Sequence, residues 1–276
     1  MEIKFSGRSS DFITPNFAFG CRFKCAYCYM RNHNPDKLYV KDNPLEIIEA
    51  IDKHHKSLSK KVPNQTHSKY WTYDFSCNED YVLHLKYHNW IPLFEYFRDS
   101  NAFGTAATKF VNPKLLEFNP NRKIRIRMSL MPQDYSDILE PNTSKIIDRI
   151  RFVNELYNAG YDVHLNFSPV IYVKGESDKY KELFELVNEN IDNSIKKHIL
   201  AEVIFLTHGD KLHKHNLINN PKAENLLWNE ELQEYKQNSY GNTRVRYKYQ
   251  LKSKMINRFK RMHENILPWN KIRYIF

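Results

Sequence analysis

Cys21-Arg22-Phe23-Lys24-Cys25-Ala26-Tyr27-Cys28 is the stretch from which the rest of the chain is best read. It places three thiols within eight residues at the spacing C-x3-C-x2-C, after a β-rich approach from Phe12 to Gly20. In an intracellular chain such a cluster points to metal ligation rather than to disulfides. Cys thiolates at short spacings bind iron–sulfur clusters, and three of them can hold three irons of a 4Fe-4S cubane. The fourth iron is then open to a substrate or cofactor. An electron-transfer ferredoxin would bring a fourth Cys from nearby, whereas the only other one here is Cys77, far downstream. Zinc is the alternative, with His33 close enough to complete four ligands, although C-x3-C-x2-C is not the usual zinc spacing.

Downstream of the cysteines, strand-like and helix-like segments alternate. Residues 68–76, Phe103–Phe110, Lys123–Met131, Asp162–Val173 and Ile199–Thr207 read as strands, being aromatic, β-branched or alternating. Between them, Trp90–Arg98, Pro113–Phe118, Ser144–Ala159 and Ser177–Ile195 read as helices. The clearest is Ser144–Ala159, with Ile146, Ile147, Ile150, Val153, Leu156 and Tyr157 at helical spacing and Gly160 as a stop. Repeated β-then-α order predicts a parallel sheet. Roughly six units fit, too few for a closed eight-stranded barrel, so the expected fold is α/β, a partial (β/α)6 barrel with its site at the C-terminal strand ends. A hairpin follows, Tyr235–Gln237 and Thr243–Gln250 around Asn238-Ser239-Tyr240-Gly241-Asn242, and then a helix over Leu251–Ile266.

The net charge of +10 is unevenly spread. Lys211–Phe276 holds 14 Lys and Arg against 5 Glu and no Asp. We therefore divide the chain into a barrel, 1–210, and a basic extension, 211–276. A local basic excess attracts polyanions by neutralising phosphates and releasing counterions. With only 7 Gly, the chain contains neither G-x-G-x-x-G nor a P-loop. Nothing in it is long and apolar enough to cross a bilayer, and its first residues do not form a signal peptide, so a cytoplasmic protein without a membrane partner is expected. His213-Lys214-His215 and His54-His55 read as solvated polar residues rather than ligands.

C-x3-C-x2-C with an aromatic before its last Cys resembles the signature of the radical S-adenosylmethionine superfamily. The resemblance extends to the spore photoproduct lyases. It is carried by Cys25-Ala26-Tyr27-Cys28-Tyr29, Ser76-Cys77-Asn78-Glu79-Asp80, Thr108-Lys109-Phe110, Arg125-Ile126-Arg127-Met128-Ser129, Ser168-Pro169-Val170-Ile171-Tyr172, Leu206-Thr207-His208 and Tyr247-Lys248-Tyr249-Gln250, in order along the chain. Two positions that are basic in that family are Gly209 and Ser239 here.

The resemblance implies a 4Fe-4S cluster on Cys21, Cys25 and Cys28, with S-adenosylmethionine on the open iron. It further implies reversal of a UV-induced thymine dimer in DNA through a 5′-deoxyadenosyl radical. Cys77 would give a hydrogen to the product radical, with Tyr27 and Tyr29 as relay. Lys109, Ser129, Ser168 and Glu79 would bind the cofactor, Glu79 taking its ammonium. Basic residues interleaved with tyrosines suit a base step pulled from the stack, which makes Arg244, Arg246, Tyr247 and Lys248 the expected DNA contacts. UV-damaged DNA and a flavodoxin- or ferredoxin-type electron donor are the implied partners. The alternatives are a radical enzyme acting on another modified nucleoside, nucleic acid or peptide, and a non-catalytic, metal-stabilised nucleic-acid-binding protein.

Overall fold

The computed structural model describes residues 2–32, 38–41, 43–173, 178–237 and 243–276. His33, Ser177 and the turn expected over Asn238–Asn242, with Ser239, lie outside them. In chain order the elements are β1 (Lys4–Phe5), β2 (Phe12–Ile13), β3 (Ala18–Phe19), β4 (Tyr39–Val40), α1 (Leu45–Lys56), β5 (Trp71–Asp74), α2 (Ile91–Asp99), β6 (Ala102–Thr108), β7 (Ile124–Leu130), α3 (Gln133–Leu139), α4 (Ile146–Asn158), β8 (Asp162–Val170), α5 (Lys179–Asn190), β9 (Leu200–Phe205), β10 (Thr207–Gly209), α6 (Asp210–Asn219), α7 (Pro221–Leu227), β11 (Gln233–Gln237), β12 (Thr243–Tyr247), α8 (Tyr249–Ile266) and β13 (Lys271–Ile275).

The main sheet runs β1-β2-β5-β6-β7-β8-β9-β13. Every pairing in it from β2 onward is parallel, as the β-then-α order predicts. Side chains bridge from the β2 side to β13 at the opposite edge. Ser9 Oγ lies 2.6 Å from Tyr274 OH, and the Arg273 guanidinium donates to the carbonyls of Ser9 and Gln65. The sheet is thus curled into a half-barrel, the partial barrel anticipated above.

β7 keeps its alternation, yet all of it is buried. Ile124, Ile126, Met128 and Leu130 share one face, because side chains alternate along a strand. Arg125 and Arg127 share the other and are paired there. Arg125 binds Asp162 at 2.8 Å and Arg127 binds Asp74 at 2.5 Å. Glu202 on β9 completes this interior network, accepting from His164, Arg273 and Tyr274. Its carboxyl is held well below the ordinary range: burial works against the charge, but these donors and the nearby Arg127 outweigh it.

α4 ends at Gly160, whose φ of +94° is costly for any residue with a Cβ. The second hairpin arm is shorter than expected, since β12 stops at Tyr247 and Tyr249 already begins α8. β12 lies between β10 and β11 in a small antiparallel sheet. β13, unforeseen in the sequence, pairs with β9 in the main sheet.

Candidate active site around the cysteine loop

The cysteine loop leaves β3 through Gly20, at φ +94°, and holds Lys24 at φ 52°. All four cysteines are free thiols. Burial pushes Cys21 up to about 11 and Cys25 well above its ordinary value. Such thiols ionise only beside strong positive charge, which the irons of a cluster supply. Among the described residues, no three His, Cys, Asp or Glu side chains gather closely enough to ligate a single ion. A cubane does not require that, since each thiolate takes its own iron, so the donor set fits the cluster.

Protein contacts hold this loop from several sides. Ala26 N donates to Leu139 O at 2.8 Å, and Asn216 Nδ2 donates to Ala26 O at 2.9 Å. The Tyr27 hydroxyl donates to Glu140, a buried carboxylate paired with Arg149 at 2.9 Å. Arg149 in turn donates to the Ser129 carbonyl at 3.0 Å, joining the loop's anchor to β7. Lys109, at the end of β6, has its Nζ 5.8 Å from the centre of the Tyr27 ring. Burial alone would lower its pKa, but the charges of Glu140 and Cys25 prevail and raise it, so it stays a cation facing the loop. Asp80, part of the resemblance through Ser76–Asp80 but given no role there, fixes that strand end by accepting from Lys109 N at 2.8 Å and Thr108 Oγ1 at 2.8 Å.

Cys77 follows the end of β5. Its side chain is exposed, while the protein atoms packed around the sulfur push its thiol up to about 12. The Tyr29 hydroxyl donates to Asn78 and lies within hydrogen-bonding reach of Cys77. The hydroxyls of Tyr29 and Tyr27 therefore end on different partners. Ser129 is buried, its Oγ accepting from Asn166 at 3.3 Å. Ser168 lies half-buried where the β8–β9 register shifts, between Phe167 and Val170, and is thereby freed from regular pairing.

Three expectations need correction. Glu79 is not open to an ammonium. It is buried, with Oε1 accepting from the backbone N–H groups of Phe17 (2.7 Å) and Ala18 (3.1 Å), and Oε2 facing His84 at 3.2 Å. It braces the approach to the cysteine loop. Tyr247 does not present its ring to a base either: it is 2% exposed, and its hydroxyl accepts from Tyr172 N at 2.9 Å. Burial of one face of β12 claims it for the core. On the other face, Arg246 pairs with Glu234 at 3.0 Å and Lys248 donates to the Glu231 carbonyl, while Arg244 is exposed with no ion-pair partner among the described residues. Tyr235, on the neighbouring strand, is exposed and was missed. His213 is not a solvated loop residue, since it lies on α6 and bonds Glu224 at 2.6 Å.

Comparisons with known proteins bear on the family and the fold. A family model described as "Spore photoproduct lyase" matches residues 1–276. A spore photoproduct lyase of Bacillus subtilis (strain 168) is 28% identical over 242 residues, covering 84% of this chain and 67% of that protein. One from Clostridium acetobutylicum is 25% identical over 186 residues, covering 66% of this chain and 54% of that protein. Among solved structures, a spore photoproduct lyase mutant with bound AdoMet and dinucleoside spore photoproduct superposes with a TM-score of 0.87 at 20% identity, covering 100% of this chain and 79% of that one. Streptococcus suis SuiB bound to S-adenosylmethionine shares the fold at a TM-score of 0.53 and 13% identity, covering 96% of this chain and 49% of that one.

Proposed function

The chain belongs to the spore photoproduct lyase family, and from that membership we propose that it is a radical S-adenosylmethionine carbon–carbon lyase reverting the spore photoproduct thymine dimer in DNA. The observation that carries this reading is a loop of three free cysteines with the Lys109 ammonium 5.8 Å from the ring of its Tyr27, and with Tyr29 close to both Cys28 and Cys77. When bound, the cluster and S-adenosylmethionine supply a 5′-deoxyadenosyl radical; the rest of the work falls to the chain's own groups.

Cys21, Cys25 and Cys28 hold the cluster. Lys109 offers its ammonium to the cofactor's carboxylate, with Ser129 and Ser168 on the adjoining strand ends. Cys77, kept protonated by burial, has an S–H from which a hydrogen atom passes to the thymine radical left after the methylene bridge breaks. The Tyr29 hydroxyl beside it would return a hydrogen atom to that sulfur, and Tyr27, held by Glu140, would pass the unpaired electron back toward the cofactor, where the hydrogen first taken from the lesion is given back. The hairpin of the extension 211–276 acts as the DNA-contacting part, with Arg244 exposed and without an ion-pair partner among the described residues. A flavodoxin- or ferredoxin-type protein supplies the electron, and a reducing cytoplasm suits four free thiols. Among the described residues no helix is long and apolar enough to cross a membrane.

The test is anaerobic reconstitution with iron and sulfide, then incubation with dithionite, S-adenosylmethionine and the dinucleotide photoproduct. Release of thymine dinucleotide together with 5′-deoxyadenosine is expected. If the protein carries zinc instead, or iron that never cleaves the cofactor, this function is wrong.

A further inference from the structure

Glu224, on α7, is 2% exposed, and three side chains converge on its carboxylate. His208 Nε2 lies 3.1 Å from both oxygens, His213 Nδ1 is 2.6 Å from Oε1, and Asn216 Nδ2 donates to Oε2 at 2.8 Å. His213 is clamped in place by the Trp228 ring, stacked at 3.6 Å. Burial opposes the charge on Glu224, yet the three bonds hold its pKa below the ordinary value. Two of the partners lead outward to the working parts of the molecule. Asn216 also donates to the carbonyl of Ala26, between Cys25 and Tyr27. His208 belongs to β10, directly opposite Val245 of β12, the strand that carries Arg244 and Arg246.

We propose that Glu224, through Asn216 and His208, is a positioning residue that fixes the cysteine loop and the basic sheet to each other, so that lesion and cofactor are held in register. The proposal rests on the function given above for both parts. A carboxylate suits the task because its two oxygens accept several N–H bonds at once, whereas a Gln would offer one oxygen and add donors of its own. Removing the charge leaves the surrounding donors buried and under-satisfied.

Amide hydrogen exchange on the reconstituted holoenzyme tests this. Glu224→Gln is expected to speed exchange in both the segment 23–30 and the strand Thr243–Tyr247 by about tenfold, the equivalent of one lost buried hydrogen bond. Asn216→Leu should loosen the loop segment alone, because the bonds from His208 to Glu224 survive. His208→Gln, which keeps a donor for Glu224, should behave like the parent. With photoproduct added, Glu224→Gln should also raise the 5′-deoxyadenosine formed per lesion reverted. The proposal fails if Glu224→Gln leaves either segment unchanged, if Asn216→Leu loosens both, or if His208→Gln is as loose as Glu224→Gln. Should Glu224→Gln not fold, the Asn216→Leu and His208→Gln results decide. A parent enzyme that makes no 5′-deoxyadenosine would overturn the proposed function, while the exchange data would still decide the positioning role.

Discussion

With Cys21, Cys25 and Cys28 ligated, Cys77 is the one free thiol of the enzyme. Iodoacetamide should alkylate it roughly 30- to 60-fold more slowly at pH 8 than the same cysteine in the unfolded chain. Burial lifts the thiol from 9.0 to about 12, the Asp74 carboxylate adds to the rise, and Arg127 and the Tyr29 bond work against it. At pH 8 this lowers the thiolate fraction by about three powers of ten. A more basic thiolate is a better nucleophile, with a Brønsted slope of about 0.4–0.5, which returns a factor of roughly 15–30. The quotient is the predicted slowing.

The rate should then climb tenfold per pH unit, without levelling off below about pH 11. Asp74→Asn should speed the reaction, because it removes a charge that disfavours the thiolate and leaves Arg127 free to favour it. The assay is time-resolved labelling read by mass spectrometry, with urea-unfolded protein as the reference. A plateau near pH 8, or labelling as fast as in the unfolded chain, would refute the reasoning. A plateau would mean that Cys77 rests as a thiolate, which has no S–H hydrogen to give; labelling as fast as in the unfolded chain would mean that the fold does not raise the thiol.

Glu202→Gln should destabilise the fold by about 3–5 kcal/mol, the usual loss when one partner of a buried ionic network is removed, read as a lower urea midpoint. Because the folded-state pKa of Glu202 is depressed, its contribution is complete above the ordinary carboxyl value of 4.5 and is lost as pH falls further, so parent and variant should converge in acid. Arg244→Gln should reduce the salt dependence of duplex binding, log K against log salt, by about 0.9, while Arg246→Gln should change it less because Glu234 already neutralises that side chain. Gly209→Lys should strengthen binding and steepen the same slope by about 0.9, since a Cβ there meets nothing within 4 Å and the backbone, at φ −102°, accepts any residue.

Where apolar residues recur with a clear period, the sequence reading and the structure coincide. α4 and β7 are the best cases, each displaced by no more than two residues. α6 was invisible for the opposite reason. Its buried residues are Leu212 and Asn216, so the face it turns inward is largely polar and has no hydrophobic rhythm. β13 is mostly half-buried at a sheet edge and gives an equally faint pattern. The three cysteines proposed as ligands lie within eight residues, and their spacing alone marks them out. Glu140, Arg149 and Asn216 act on the same loop from positions more than a hundred residues away, where one charged or amide side chain carries no local sign of its partner. Glu79 was misread because a carboxylate beside Cys77 suits an ammonium in the sequence, whereas in the fold two backbone N–H groups of the β3 approach take it first.

The two halves of the site therefore differ in how tightly they are specified. On the cysteine side, the loop's backbone is tied by Leu139 and Asn216, Tyr27 by Glu140, and Lys109 by Asp80, so a shift of one group disturbs several buried bonds. Radical chemistry needs this, because a hydrogen atom moves only between groups already in contact. On the hairpin side, Arg244 is unpaired among the described residues and Gly209 opposite it leaves open space. Contacts to phosphates tolerate such looseness, since they act through screened charge rather than fixed geometry. The consequence is that changes around Gly209 and Arg244 should tune how strongly DNA is held without changing what is done to it. The strut proposed through Glu224 would let a change on one side be felt on the other.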